Sequence, residues 1–240
     1  MRKVQLLMSR LFAVCIAVLA GASTPATASE FRTPEEAIAS YVGGVAQRDL
    51  AQVLDATAIE EMRDGFDFVA YVERLRALVP SMPAPADDPF FADLNAAQFT
   101  AAIAGQVKFL TYGLLTTSKV IEAKTVQMDA EGAAGFVAEL DATRLSRLTI
   151  EAIRMPSPTL MASERYVANA GKQALVYGAD ESTERVVLLR FEGLHYGIGF
   201  TLLRFGESWK ISNQSSPIAG TSNLGAPAPT TPEAFMQATQ

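Results

Sequence analysis

The spacing of the apolar residues changes near residue 119 of this 240-residue chain. Before that point they recur every three or four residues, as on one face of a helix, and after it they mostly alternate with polar residues, as in a half-buried strand. Because the helical pattern comes first and the strand pattern follows, the sequence predicts an α+β domain. Its N-terminal helices would pack on one face of a curved antiparallel sheet.

The first helices are predicted within TPEEAIASYVGGVAQRDLAQVLDA, residues 33–56. Thr33 can act as an N-cap and Glu36 can complete a capping box, while Asp49 can cap a second helix. Each glycine of Gly43-Gly44 lowers the stability of a helix by up to ~1 kcal/mol relative to alanine. We attribute the pair to close packing against another backbone.

Residues 62–117 are predicted to be a helical insertion, with helices over 64–79 and 90–117 on either side of a proline-rich loop. The predicted strands are 120–128, 136–140, 173–177, 186–191, 195–205 and 208–212. Residues 142–171 fit either helix or irregular structure. Trp209 and Ile211 alternate in the last strand, so both should face the helices.

The first 28 residues have the order of a secretory signal peptide. Arg2, Lys3 and Arg10 form a basic start, residues 11–21 form an apolar run too short to cross a bilayer, and Ala-Thr-Ala precedes Ser29. We therefore expect an exported protein without a transmembrane span after signal removal. A bacterial periplasm is the favoured compartment, and secretion fits the same pattern.

Charge argues against nucleic acid as a partner. The chain has 20 basic and 26 acidic residues and a net charge of −6. Residues 1–28 contain three of the basic residues and none of the acidic ones, so the remainder has a net charge of −9. Phosphate backbones and anionic lipid surfaces repel such a chain.

The one cysteine, Cys15, lies in the predicted signal peptide, so the mature chain has no disulfide and depends on a hydrophobic core. We expect a single domain over residues 29–216. Residues 217–240 are rich in Pro, Gly, Ser, Thr and Ala and are predicted to be a mostly disordered tail whose removal changes stability little.

Two segments resemble the nuclear transport factor 2-like superfamily, a group of cone-shaped, cystatin-like α+β domains. The helix–turn–helix of residues 33–56, with Arg48-Asp49 at the turn, is similar to the usual opening of these domains. LLRFGESWKISN, residues 202–213, is similar to their closing hairpin. The resemblance implies a cone around an apolar pocket. Some members, such as ketosteroid isomerase and scytalone dehydratase, use a pocket Asp or His for acid–base chemistry, and many others only bind ligands or partners.

Catalytic candidates are few. His195 is the single histidine, and with Tyr196 beside it the pair could perform acid–base chemistry. Asp55 is a candidate pocket carboxylate. An ordinary strand position for His195 and a solvated helix face for Asp55 explain the same residues.

Tyr41, Tyr112 and Tyr177 are candidate ligand-binding residues, and they fit core positions equally well. One histidine and no mature cysteine cannot supply a zinc site, and no phosphate-binding glycine motif is present, so neither a metal nor a cofactor is predicted.

The favoured function is therefore a non-catalytic binding or interaction domain of the cell envelope, for a small apolar molecule or an envelope protein. A homodimer is compatible with it. The alternative is a small cofactor-free isomerase, dehydratase or hydrolase that uses His195 with a pocket carboxylate. The observation that separates the two is whether His195 and an Asp or Glu meet within hydrogen-bond distance inside one pocket.

Overall fold

The computed structural model describes residues 29–79, 81–116 and 126–240. The helices are α1 (Pro34–Gln47), α2 (Leu50–Asp55), α3 (Ile59–Gly65), α4 (Phe68–Leu75), α5 (Pro89–Leu115), α6 (Ala130–Glu139), α7 (Pro158–Met161), α8 (Glu164–Val176) and α9 (Pro232–Ala238), with a 3₁₀ helix at Ala142–Arg147. The strands are β1 (Thr149–Arg154), β2 (Glu181–Phe191), β3 (Leu194–Phe205), β4 (Ser208–Asn213) and β5 (Ala228–Thr230). They form one antiparallel sheet, and the predicted α+β fold class is confirmed.

The start of the domain has the predicted local structure. Thr33 Oγ1 accepts a hydrogen bond from the Glu36 N–H at 3.2 Å, and Glu36 Oε2 accepts one from the Thr33 N–H at 3.3 Å. Asp49 Oδ1 caps α2 through the Gln52 N–H at 3.1 Å. A Cβ on Gly44 would lie 2.9 Å from the backbone nitrogen of Val53, so the glycine is needed for the close contact between α1 and α2.

The two long hairpins also agree with the sequence. β2 and β3 pair along their whole length, from Glu181 opposite Arg204 to Phe191 opposite Leu194. β3 and β4 are joined at Gly206, whose φ of 59° is in the left-handed region that favours glycine. The strands predicted at 186–191, 195–205 and 208–212 are therefore confirmed.

Strand β3 divides its second edge between two partners. Residues 201–205 pair with β4, whereas residues 195–197 pair with β5 from the C-terminal segment. Between these two stretches the chain at residues 216–221 crosses β3 at Gly199. The C-terminal segment is thus part of the sheet.

The face of the sheet that packs on α1, called the inner face here, carries the main core. Tyr196, Ile198, Phe200 and Leu202 of β3 lie on it, and the ring edge of Tyr41 from α1 meets Phe200 at 5.4 Å between centroids. Trp209 and Ile211 are buried in the same cluster, as the alternation in β4 predicts. Large side chains therefore fill the space between α1 and the sheet.

Two predicted strands are wrong. Residues 136–140 belong largely to α6, which Asp129 caps through the Gly132 N–H at 2.8 Å, and residues 173–177 contain the end of α8. Short apolar runs fit both periods, and here the caps favour helix. The strand predicted at 120–128 lies mostly outside the described residues, and residues 126–128 are unpaired with any described strand.

The prediction of disorder for residues 217–240 is also wrong. This segment, called the tail, contains β5 and α9. Phe235 of α9 is buried against Val186 and Leu188 on the outer face of β2. The composition of the tail is typical of a flexible segment, but the burial of Phe235 and the pairing of β5 with β3 hold it in place.

Replacing Phe235 with alanine should therefore lower the free energy of unfolding by about 3 kcal/mol, the usual cost of such a change in a core. Met236, its neighbour on the same helix, is 38% exposed, so Met236→Ala is the matched control and should change stability by less than about 0.5 kcal/mol. Urea denaturation measures both. Equal, small effects would mean that the tail does not dock.

Candidate functional site

The outer face of the sheet, opposite α1, carries an apolar groove of about 480 Å³. We call it the tail groove, because β5, α9 and residues 218–221 of the tail form most of its walls. Apolar lining residues are Leu160, Val186, Ile218, Pro229 and Phe235, and hydroxyl groups come from Ser157, Thr221 and Thr230. None of the described residues that line it is ionisable.

Two glycines of β3 shape the groove. A Cβ on Gly199 would collide with Thr221 Oγ1 and would lie 2.5 Å from the Ser216 nitrogen, so the tail can cross β3 only over a glycine. Around Gly197 the closest atom to such a Cβ is the Ala228 oxygen at 3.9 Å. Gly197 thus leaves the floor of the groove without a side chain, whereas Gly199 makes room for the tail.

A buried carboxylate holds the tail where it crosses the sheet. Glu184 of β2 is 7% exposed, and its Oε2 accepts hydrogen bonds from Ser216 Oγ at 2.5 Å and from the Ile218 N–H at 3.0 Å. A buried carboxylate without such donors is costly, so these bonds fix the position of the groove wall. Sequence reasoning missed Glu184, because its donors lie more than thirty residues away in a segment expected to be disordered.

Tyr41 does not point into the tail groove. Its hydroxyl donates to Gln214 Oε1 at 2.8 Å, and burial raises the pKa of the phenol. Gln214 in turn accepts and donates within the chain: its Nε2 reaches the Gly225 oxygen at 2.6 Å, and its N–H donates to Gln106 Oε1 at 2.9 Å. This network ties α1, α5 and the tail together and uses the Tyr41 hydroxyl internally.

The other two tyrosines lie elsewhere. Tyr112 meets the ring of Phe136 at 5.4 Å. Tyr177 packs near Phe66 and Phe99 in a separate cluster, and burial raises its pKa to about 12. Among the described residues, the three candidate tyrosines therefore have different neighbours.

His195 and Tyr196 cannot act as a pair, because successive strand residues point to opposite faces of a sheet. Tyr196 is buried in the inner core, where burial raises its pKa, whereas His195 lies on the outer face. Asp55 is remote from both. Its Oδ1 accepts from the Ser29 N–H at 3.3 Å and its backbone oxygen accepts from Lys210 Nζ.

The carboxylate partner of His195 is Glu151, which sequence reasoning missed. His195 Nε2 lies 3.0 Å from Glu151 Oε2, and Arg190 Nη1 lies 3.9 Å from the other oxygen. The pairing of β1 with β2 shifts register between Ile150, which packs on the inner core, and Ala152, which packs on the outer face. Glu151 lies at this bulge, and its contact with His195 puts its side chain on the outer face. Neither the bulge nor the pairing of β1 with β2 can be read from local sequence.

The His195–Glu151 pair lies close to the tail but outside the groove lining. His195 is opposite Thr230 of β5. The pKa of Glu233, in the first turn of α9, is lowered mainly by a hydrogen bond from its own backbone N–H and in smaller part by the charge of His195. About a quarter of the His195 side chain is exposed. The criterion that separates an enzyme from a binding domain is therefore satisfied only in part. His195 and a carboxylate meet within hydrogen-bond distance, but they do not line the tail groove.

Comparison with solved structures finds a similar fold in a cystatin-like protein from Ruminococcus gnavus, with a TM-score of 0.54 and 19% sequence identity over 81% of this chain. The matched region is 42% of that chain, so this protein spans less than half of its length. At this identity the similarity shows the cystatin-like fold alone. No protein-family model matches the sequence, and no curated protein is significantly similar to it.

Two further features of residues 29–79, 81–116 and 126–240 concern possible metal ligands and the length of apolar helices. His, Cys, Asp and Glu side chains in these ranges form no cluster of three or more that could hold a metal ion. No helix in the same ranges is long and apolar enough to cross a bilayer.

His195→Gln should lower the free energy of unfolding by less than about 1 kcal/mol, because a partly solvent-accessible contact between two polar side chains contributes little. The glutamine amide can still donate one hydrogen bond to Glu151. Denaturation at neutral pH, with Glu151→Gln as the companion variant, measures the effect. A loss of several kcal/mol would show that the contact between His195 and Glu151 is a major structural link between β3 and β1.

Proposed function

We propose that this protein is an exported, non-catalytic binding domain of the cell envelope and that it takes a small, uncharged apolar ligand in the tail groove. The observation that carries the proposal is the apolar groove itself, whose described lining contains no ionisable side chain. Such a lining has nothing with which to perform acid–base chemistry, but it can bury hydrocarbon surface.

The size and chemistry of the tail groove fit this ligand class. Its volume of about 480 Å³ is within the usual range of small-molecule pockets, roughly 300–1,000 Å³. The hydroxyl groups of Ser157, Thr221 and Thr230 already form hydrogen bonds within the chain. Each hydroxyl oxygen keeps a lone pair that can accept one hydrogen bond from a ligand. The same lining could also accept an apolar side chain of an envelope protein, which is the other occupant that we consider.

Gly197→Leu should weaken ligand binding at least about tenfold, because the new side chain occupies the groove floor. A Cβ at Gly197 meets only ordinary contacts, so folding should survive. A Cβ added at Gly135 of α6 would have no described neighbour within 4 Å, and Gly135→Leu is the matched control.

The measurement uses N-phenyl-naphthylamine, an uncharged fluorescent probe, titrated into the wild type and both variants. Ala234→Trp, on the α9 wall, provides a second way to fill the groove. If all proteins bind the probe equally, or none does, the tail groove is not the ligand site. Native mass spectrometry of the purified protein can then search for ligands elsewhere.

Export is tested separately. Residues 1–28 should be removed in the producing cell, because a basic start, an apolar run and Ala-Thr-Ala are arranged for cleavage before Ser29. N-terminal sequencing of protein from the periplasmic and culture fractions measures this and separates the periplasm from secretion. An intact Met1 in cytoplasmic protein would contradict the proposal.

A small cofactor-free enzyme is the second candidate, and the 3.0 Å contact between His195 and Glu151 favours it. An imidazole oriented by a carboxylate can transfer protons near neutral pH. If a substrate is found, His195→Gln separates the two functions. A loss of turnover of roughly a hundredfold or more, typical of a lost general acid–base group, would replace the binding proposal.

A further inference from the structure

A second groove lies on the helical side of the domain and shares no lining residue with the tail groove. It has a volume of about 370 Å³ and lies among α1, α2, α5 and the 3₁₀ helix. We call it the helix groove. Its apolar surface comes from Val45, Val53, Val107 and Leu145, with the half-exposed Leu50 also in its lining.

Two cations line this apolar groove. Arg48 ends α1 in the left-handed conformation, with φ at 61°, and Lys108 projects from α5. Within the described part of the chain, neither side chain forms a salt bridge, and the Lys108 ammonium lies 5.8 Å from the Phe109 ring centroid. The one acid of the lining, Asp49, already caps α2.

These two cations differ from three arginines that lie beside α1 or in the 3₁₀ helix, all of which are paired. Residues 29–240 as a whole carry a net charge of −9. Arg185 binds Glu35, and Arg144 and Arg147 both bind Glu192. Arg48 and Lys108 thus place two positive charges beside a hydrocarbon surface, and neither has a carboxylate partner among the described residues. Such a surface is complementary to a molecule with an anionic head and an apolar body.

We propose that the helix groove binds a single-chain fatty carboxylate. The carboxylate would lie between Arg48 and Lys108, where the guanidinium can donate two parallel hydrogen bonds to its two oxygens. The alkyl chain would cover Val53, Val107 and Leu145. This site is independent of the tail groove and of the function proposed for it.

The experiment titrates the full mature protein with dodecanoate below its micelle concentration and follows binding by calorimetry. Dodecanoate should bind, and decanoate, which is two methylenes shorter, should bind about fifteenfold more weakly, because each buried methylene contributes roughly a factor of four. Dodecyltrimethylammonium, with the same tail and the opposite charge, should not bind detectably. Equal binding of the cationic and anionic amphiphiles would overturn the proposal.

Two pairs of variants locate the site. Arg48→Gln with Lys108→Gln should weaken dodecanoate binding at least about tenfold, whereas Arg165→Gln with Lys172→Gln, two exposed cations of α8, changes net charge equally and should have no effect. Ala104→Trp fills the groove from α5. Ala102→Trp, on the opposite side of the same helix, is its control.

The outcomes are distinct. Equal losses in both double-charge variants would show general attraction and no site. Loss of dodecanoate binding in Gly197→Leu would place the ligand in the tail groove and overturn this proposal, while leaving the proposed function standing. Preference for phosphatidylglycerol vesicles over free dodecanoate would identify a lipid surface as the partner and would also overturn it.

Discussion

The burial of strand β3 on both faces and along both edges is the constraint on which the rest of the structure depends. β2 pairs with one whole edge, and β4 and β5 divide the other. The inner face meets α1 through the main core, and the outer face is covered where the tail crosses Gly199. A strand enclosed in this way cannot shift register without exposing apolar side chains or burying polar ones. It therefore determines where both the helices and the tail must lie.

Enclosure of β3 also explains why the candidate binding sites lie away from the space between α1 and the inner face of the sheet. Tyr41 and Phe200 fill that space with apolar contacts, and the Tyr41–Gln214 hydrogen bond continues the packing into a polar network with Gln106. A polar group in such a network is already satisfied, so a ligand would have to replace its bonds at a cost. Open apolar surface remains instead beside the tail and between α1, α2 and α5.

The candidate site residues show which parts of the site could be predicted from local sequence. His195 was identifiable because it is the single histidine, and its place in a strand followed from alternation. Its partner Glu151 was not identifiable, because the contact depends on the pairing of β1 with a strand about forty residues further along. The predicted acid–base pair of His195 and Tyr196 was wrong, because neighbouring residues in a strand point to opposite faces of the sheet.

Local signals in the sequence determined the α+β order, the caps of α1 and α2, and the two glycine-turn hairpins, since each depends on residues within a few positions of one another. Only the tertiary structure decided that the tail is ordered. α6 and α8 begin at local caps, Asp129 and Ser163, and were misread because their short apolar runs also fit a strand. The tail has few apolar residues, and its order comes from bonds to Glu184 and from the burial of Phe235 against Val186 and Leu188. Those partners lie roughly thirty to fifty residues earlier in the chain. Composition reports how much apolar surface a segment carries, but the place where that surface is buried depends on the assembled sheet.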